Sequence, residues 1–149
     1  METTEQKRRR LFGKQDVPLY LAELNKILKI HIGPTDLLSI VETDEIRQQN
    51  LAKNLIFSTK ILFDEKNKLK EIIKINEVLG VGYYVFTKYS RDCGTLLMNS
   101  FDNFDFDFPF DALLSGLITF TQEDLRKEIV LDFYEEDGVE YLEIEIYEK

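Results

Sequence analysis

Residues 129–146, with the sequence IVLDFYEEDGVEYLEIEI, predict a β-hairpin. Asp137-Gly138 near its centre is typical of a two-residue hairpin turn, because both positions of such a turn require a positive φ. This turn predicts a single register for the flanking strands, in which Glu136 faces Val139 and the pairing continues outward from there.

Side-chain alternation predicts the same register independently of the turn. Apolar and polar residues alternate on both strands, which is typical of antiparallel strands with one buried face. Because turn chemistry and alternation agree, we expect a hairpin whose inner face belongs to the core. The pairs that are apolar on both strands are Phe133/Leu142, Leu131/Ile144 and Ile129/Ile146.

The opposite face of this hairpin is acidic and rich in tyrosine. Asp132 should lie directly opposite Glu143, and opposed like charges destabilise a sheet by roughly a few tenths of a kcal/mol. An acidic surface that only keeps the protein soluble would explain this face. A recognition face with tyrosine anchors and carboxylates for a basic partner would explain it as well. The candidate partner-binding residues of the hairpin are Asp132, Tyr134, Tyr141, Glu143, Glu145 and Tyr147.

A second row of carboxylates is expected in residues 104–110. Phenylalanine occupies every second position there and alternates with Asp105, Asp107 and Pro109. Period two predicts an extended segment with phenylalanines on one face and carboxylates on the other. Pro109 cannot donate a ladder hydrogen bond, which favours an edge strand or an extended loop. Asp105 and Asp107 therefore join the candidate partner-binding residues.

Helices are expected in the first half of the chain. Asp16 and Pro18 are typical of a helix start, and Gly33-Pro34 ends that helix. A second helix is expected over about 44–56 and a third from Leu69 to Gly80. Residues 56–63 and 70–75 suit either a helix or a strand, and both alternatives stay open.

The second half of the chain reads mainly as strands. Residues 81–89 predict a strand and 95–99 its antiparallel partner. Residues 112–120 and 121–127 each predict a short helix. The expected fold class is therefore α+β, with N-terminal helices followed by a mostly antiparallel sheet that ends in a C-terminal β-hairpin.

Length and charge limit the domain organisation. A chain of 149 residues predicts one domain. The net charge is +3 over residues 1–14, zero over 15–100 and −12 over 101–149. We expect residues 1–14 to be a flexible basic tail and residues 15–149 to be one globular domain. The acidic third should attract a basic protein and repel nucleic acid.

The sequence offers little catalytic chemistry. His31 is the only histidine, and near a helix end it would stabilise free carbonyl groups. We expect Cys93 to lie in a turn or to pack as a small apolar residue. Nothing in the sequence indicates that it lies close enough to His31 to form a catalytic dyad. Gly80-Val81-Gly82 lacks the third glycine and the lysine of a phosphate-binding loop. We expect no catalytic residue and no cofactor.

Neither a metal site nor a membrane segment is expected. The aspartates at 102, 105, 107 and 111 do not have the spacing of a calcium-binding loop. No apolar run approaches the roughly 20 residues of a membrane span, and the start of the chain is not typical of a secretory signal. These features, with a single cysteine, lead us to expect a cytoplasmic protein without a membrane partner.

The function that these observations favour is non-catalytic binding of a basic protein partner. In size, charge and absence of catalytic motifs the chain resembles bacterial toxin immunity proteins, and the resemblance implies a cognate toxin domain as the partner. Three alternatives stay open: a nucleic-acid mimic or phage-encoded inhibitor, an adaptor or oligomer subunit that pairs through the phenylalanine-rich segment, and an unrecognised enzyme. The sequence leaves the oligomeric state open.

Overall fold

The computed structural model describes residues 1–50 and 52–149. The expected α+β fold, with N-terminal helices and a C-terminal hairpin, is confirmed. The α-helices of the described residues are α1 (Thr4–Gly13), α2 (Val17–Ile27), α3 (Ile40–Gln49), α4 (Lys66–Asn76) and α5 (Ser90–Cys93). The strands are β1 (Asn54–Leu62), β2 (Tyr83–Phe86), β3 (Leu96–Met98), β4 (Leu117–Gln122), β5 (Lys127–Glu136) and β6 (Val139–Glu148).

The described strands form one antiparallel sheet in the order β1-β6-β5-β4-β2-β3. The register of β5 with β6 agrees with the prediction at every pair from Glu136/Val139 to Ile129/Ile146. Asp137 and Gly138 have φ values of 52° and 79°, as their turn requires. β1 pairs with β6 and forms one edge of the sheet. The β5–β6 hairpin therefore lies inside the sheet and not at its edge.

One face of the sheet carries the core. The inward apolar side chains of β5 and β6 are all buried, including Leu131 and Ile144, as their alternation predicted. The same cluster contains apolar residues of α2 and α4, such as Leu24 and Leu69. We call this side the inner face. The side chains that alternate with these residues point away from the core and form the outer face.

The phenylalanine-rich segment is a loop on the inner face, not a strand. It begins with a short 3-10 turn at Phe101–Asn103, and within the described chain its backbone joins other segments by one isolated bridge, between Phe104 and Leu28. Phe104 packs edge-on against Phe120, with 5.2 Å between ring centres, and Phe108 lies 5.2 Å from Phe133. The expected separation of buried phenylalanines from outward aspartates is present, but the rings serve the core.

Two predicted short helices are wrong. Residues 112–120 and 121–127 contain β4 and the turn from β4 into β5, where Leu125 adopts a φ of 66°. β4 is paired on both sides, with β2 and with β5, and its Ile118 and Phe120 are fully buried. Pairing with distant strands outweighs the local helix-start pattern.

Two segments that suited either a helix or a strand are settled by the described residues. Residues 56–63 lie almost wholly in β1, and residues 70–75 lie in α4. The first helix, which was expected to end at Gly33-Pro34, ends earlier, at Ile27. The helix expected over 44–56 also runs earlier, as α3, because Ser39 and Glu42 form a reciprocal capping box that starts it at Ile40; residue 51 of the expected range lies outside the described residues.

The N-terminal segment differs from the expected flexible tail. Residues 4–13 form α1, which a capping box between Thr3 and Gln6 begins. Gln6 donates to the carboxylate of Asp44 in α3 at 2.9 Å, and Arg9 forms an ion pair with the same carboxylate. Capping and polar contacts with α3 hold this helix, so it forms without an apolar stripe that packs into the core.

Candidate protein-binding face

Six of the predicted site residues come together on the outer face of β5 and β6. We call this set, Asp132, Tyr134, Tyr141, Glu143, Glu145 and Tyr147, the acidic face. Their side chains are all half-buried, in contrast to the fully buried residues that alternate with them. The rigid ladder of the central hairpin therefore positions them on one surface.

Neighbouring carboxylates of the acidic face repel one another. Asp132 pairs directly with Glu143 across the ladder. Burial raises the pKa of Asp132, and the charges of Glu143 and Glu145 raise it further. The face thus holds its negative charge at a cost to folding, and a cation arriving from outside would relieve that cost.

Hydrogen bonds to these carboxylates hold two of the tyrosines. The Tyr134 hydroxyl donates to Oε1 of Glu143 at 2.7 Å, and the Tyr147 hydroxyl donates to Oε2 of Glu145 at 3.1 Å. The ring centres of Tyr134 and Tyr141 lie 6.1 Å apart. Fixed aromatic rings beside charged groups suit a preformed recognition surface, because little side-chain freedom is left to lose on binding.

Lys60 of β1 shows how this face accommodates a cation. Its Nζ lies 4.1 Å from the ring centre of Tyr141, 5.5 Å from that of Tyr134 and 3.4 Å from a carboxylate oxygen of Glu136. Hydrogen bonds to Tyr134 and Glu136 raise the pKa of Lys60. The ammonium group combines ring and carboxylate contacts, which is the arrangement that an incoming lysine or arginine could adopt.

The far end of the outer face is occupied by α3. Arg47 lies over the ring of Phe86 in β2, with 4.8 Å from its guanidinium carbon to the ring centre. Beside it, Glu128 accepts hydrogen bonds from Thr121 at 3.1 Å and from Asn50 at 3.3 Å. Glu128 is therefore engaged within the fold.

Asp105 and Asp107 do not belong to the acidic face. Their loop lies on the inner face, where Phe108 contacts Phe133, so the two carboxylate rows are on opposite sides of the sheet. Oδ1 of Asp105 accepts from the backbone N–H of Asp107 at 2.9 Å, and both carboxylates influence Lys66 electrostatically. Alternation predicted which way these aspartates point, but it could not predict which layer of the fold carries them.

The two residues considered for catalysis do not form a dyad in the described chain. His31 is exposed in the loop after α2. The Cys93 thiol donates to the carbonyl oxygen of Gly13 at 3.4 Å. Burial, with the nearby charges of Asp16 and Asp92, raises the pKa of Cys93 to about 11, and a thiol that stays protonated at neutral pH is a poor nucleophile.

Two searches of the described residues give negative results. No group of three or more histidine, cysteine or acidic side chains is placed to hold a metal ion within residues 1–50 and 52–149. None of the helices in that part of the chain is long and apolar enough to cross a membrane. Comparison of the chain with known protein families, curated proteins and solved structures finds no significant match.

Replacing Asp132 by asparagine should raise the free energy of unfolding at neutral pH by roughly a few tenths of a kcal/mol. Because the pKa of Asp132 is raised in the folded state, the fold loses stability as pH rises from the unfolded value of about 4 through the folded value. The variant should lack this loss, so its advantage should be absent in acid and complete at neutral pH. Urea denaturation at both pH values measures it.

The matched control is Asp107→Asn, at an exposed position on the other side of the sheet. This variant should show no comparable gain at neutral pH. If Asp132→Asn destabilises the protein at neutral pH, the Asp132 carboxylate stabilises the fold, and its repulsion by Glu143 does not cost stability.

Proposed function

We propose that this protein is a non-catalytic acidic binding protein that neutralises a basic protein partner, as a toxin immunity protein acting in the bacterial cytoplasm would. The observation that supports this most is the opposition of Asp132 and Glu143 on an outer sheet face, next to hydrogen-bonded tyrosines. Solubility alone needs no such arrangement, because scattered carboxylates serve it without mutual repulsion.

Binding of a cation would remove the repulsion between the carboxylates of Asp132 and Glu143 that is present in the free protein. A lysine or arginine of the partner, placed between Asp132 and Glu143, would replace a like-charge contact by two attractive ones. Tyr141, whose ring already contacts Lys60, would supply an aromatic anchor near the middle of the contact. Blocking a basic surface in this way would neutralise a partner that relies on that surface.

The composition of the acidic face favours a protein partner over the role of a nucleic-acid mimic. A mimic of phosphates needs a long, regular row of negative charge. On the outer face of β6, Glu143 and Glu145 lie between two tyrosines, and Tyr134 is the next outer-face residue after Asp132 on β5. Lys60 of β1 pairs with Glu143 and interrupts the negative charge. Aromatic anchors among charges are typical of protein–protein contacts.

The test is the salt dependence of association with the partner recovered from the native host. Attraction between the acidic face and a basic surface should steer the encounter, so the association rate constant should fall roughly tenfold or more from low to high ionic strength. The dissociation rate constant should change much less. Stopped-flow mixing measures both, and an association rate constant that does not respond to salt would contradict the proposal.

A further inference from the structure

Folding brings three arginines together at the N-terminal side of the molecule. Between α1, α3 and α5 lies a hollow of about 420 Å³. Arg9 of α1, Arg47 of α3 and Arg91 of α5 line it, together with Asp44. This concentration of cations stands out on a chain whose net charge is −9.

The positive charge in this hollow exceeds the negative charge that faces it. Asp44 is engaged by Arg9 and Gln6, and these bonds outweigh the effect of burial and lower its pKa. Neither Arg47 nor Arg91 forms an ion pair in the described part of the chain. Among the residues that line the hollow, three arginines face two carboxylates, Asp44 and Glu5, which leaves one net positive charge.

The donors in the hollow are also held in place. Arg47 is stacked on Phe86, and Arg9 is held by its bonds to Asp44 and to the carbonyl oxygen of Arg91. The guanidinium groups at the wall of the hollow therefore have little freedom left to lose when an anion binds.

We propose that this hollow binds a phosphate group, either as inorganic phosphate or as a phosphomonoester. The group would lie between Arg47 and Arg91, next to Arg9. A planar guanidinium group binds two oxygens of a phosphate through paired hydrogen bonds, and several neighbouring arginines favour a dianion over chloride. The site is independent of the acidic face and does not rest on the proposed function.

Isothermal titration of the full chain with inorganic phosphate, at constant ionic strength kept with chloride, tests the site. Saturable binding is expected, and Arg47→Gln and Arg91→Gln should each weaken it about tenfold or more, because each removes charge-assisted hydrogen bonds. Neither side chain belongs to the apolar core, so these variants should fold. A parallel titration with glycerol 3-phosphate distinguishes the sources: tighter binding than inorganic phosphate indicates a phosphomonoester ligand, and weaker binding indicates the free ion.

Arg126→Gln is the matched control, since Arg126 is exposed in the turn between β4 and β5 and outside the hollow. This variant should bind phosphate like the unaltered protein. Binding that is absent in the unaltered protein, or that Arg126→Gln weakens as much as Arg47→Gln does, would overturn the proposal.

Discussion

Replacing Asp132 and Glu143 together by lysine should weaken binding of the basic partner about a hundredfold or more, while the protein stays folded. The change reverses the charge at the centre of the acidic face and places cations against a basic surface. Both side chains lie on the outer face, only half-buried, so the core keeps every apolar contact. Surface plasmon resonance measures the affinity, and circular dichroism with thermal melting measures the fold.

The control must carry the same change in net charge at another place. Glu45 of α3 and Glu71 of α4 are both exposed and lie outside the acidic face. Replacing this pair by lysine should alter the dissociation constant only severalfold, through long-range attraction. If both pairs weaken binding equally, overall charge and not the acidic face governs the association. If neither pair does, the face only keeps the protein soluble.

Gly94→Ala should destabilise the fold by about 3 kcal/mol or more. Gly94 follows α5 with a φ of 93°, a backbone conformation that residues other than glycine rarely adopt. A Cβ at this position would overlap the carbonyl oxygen of Leu38, which is backbone and cannot move aside locally. The carbonyl of Gly94 also accepts the buried Tyr20 hydroxyl at 2.8 Å, so a shift here would disturb α2 as well. Chemical denaturation measures the loss.

Gly138→Ala separates the two causes of this loss. Gly138 has a φ of 79°, but no atom lies within 4 Å of a Cβ built there. Its replacement should therefore show only the conformational cost, about 1 kcal/mol. Equal losses in the two variants would show that the close approach of Gly94 to Leu38 contributes nothing.

The C-terminal hairpin could be derived from the sequence because its determinants are local. Asp137-Gly138 specifies the turn, and alternation on either side specifies which side chains face the core. β4 could not be derived in this way. Its strand character depends on pairing with β2 and β5. The local pattern of Thr121 with Asp124 is instead typical of a helix start.

The same distinction applies to the candidate sites. The acidic face could be predicted from the sequence because all its members lie on one hairpin. The separation of Asp105 from that face depends on how the loop folds over the inner face, and alternation carries no such information. The arginine hollow was missed because Arg9, Arg47 and Arg91 are far apart in the chain. The one signal was the basic charge of residues 1–14, which we interpreted as a flexible tail.

Chemical-shift mapping of the complex with the basic partner shows whether the acidic face is the binding surface. On titration with the partner, we predict the largest changes at Tyr134, Tyr141, Glu143 and Tyr147, with little change in the loop that carries Asp107. Changes confined to that loop, or to the surroundings of Arg47 and Arg91, with the acidic face unaffected, would contradict the claim.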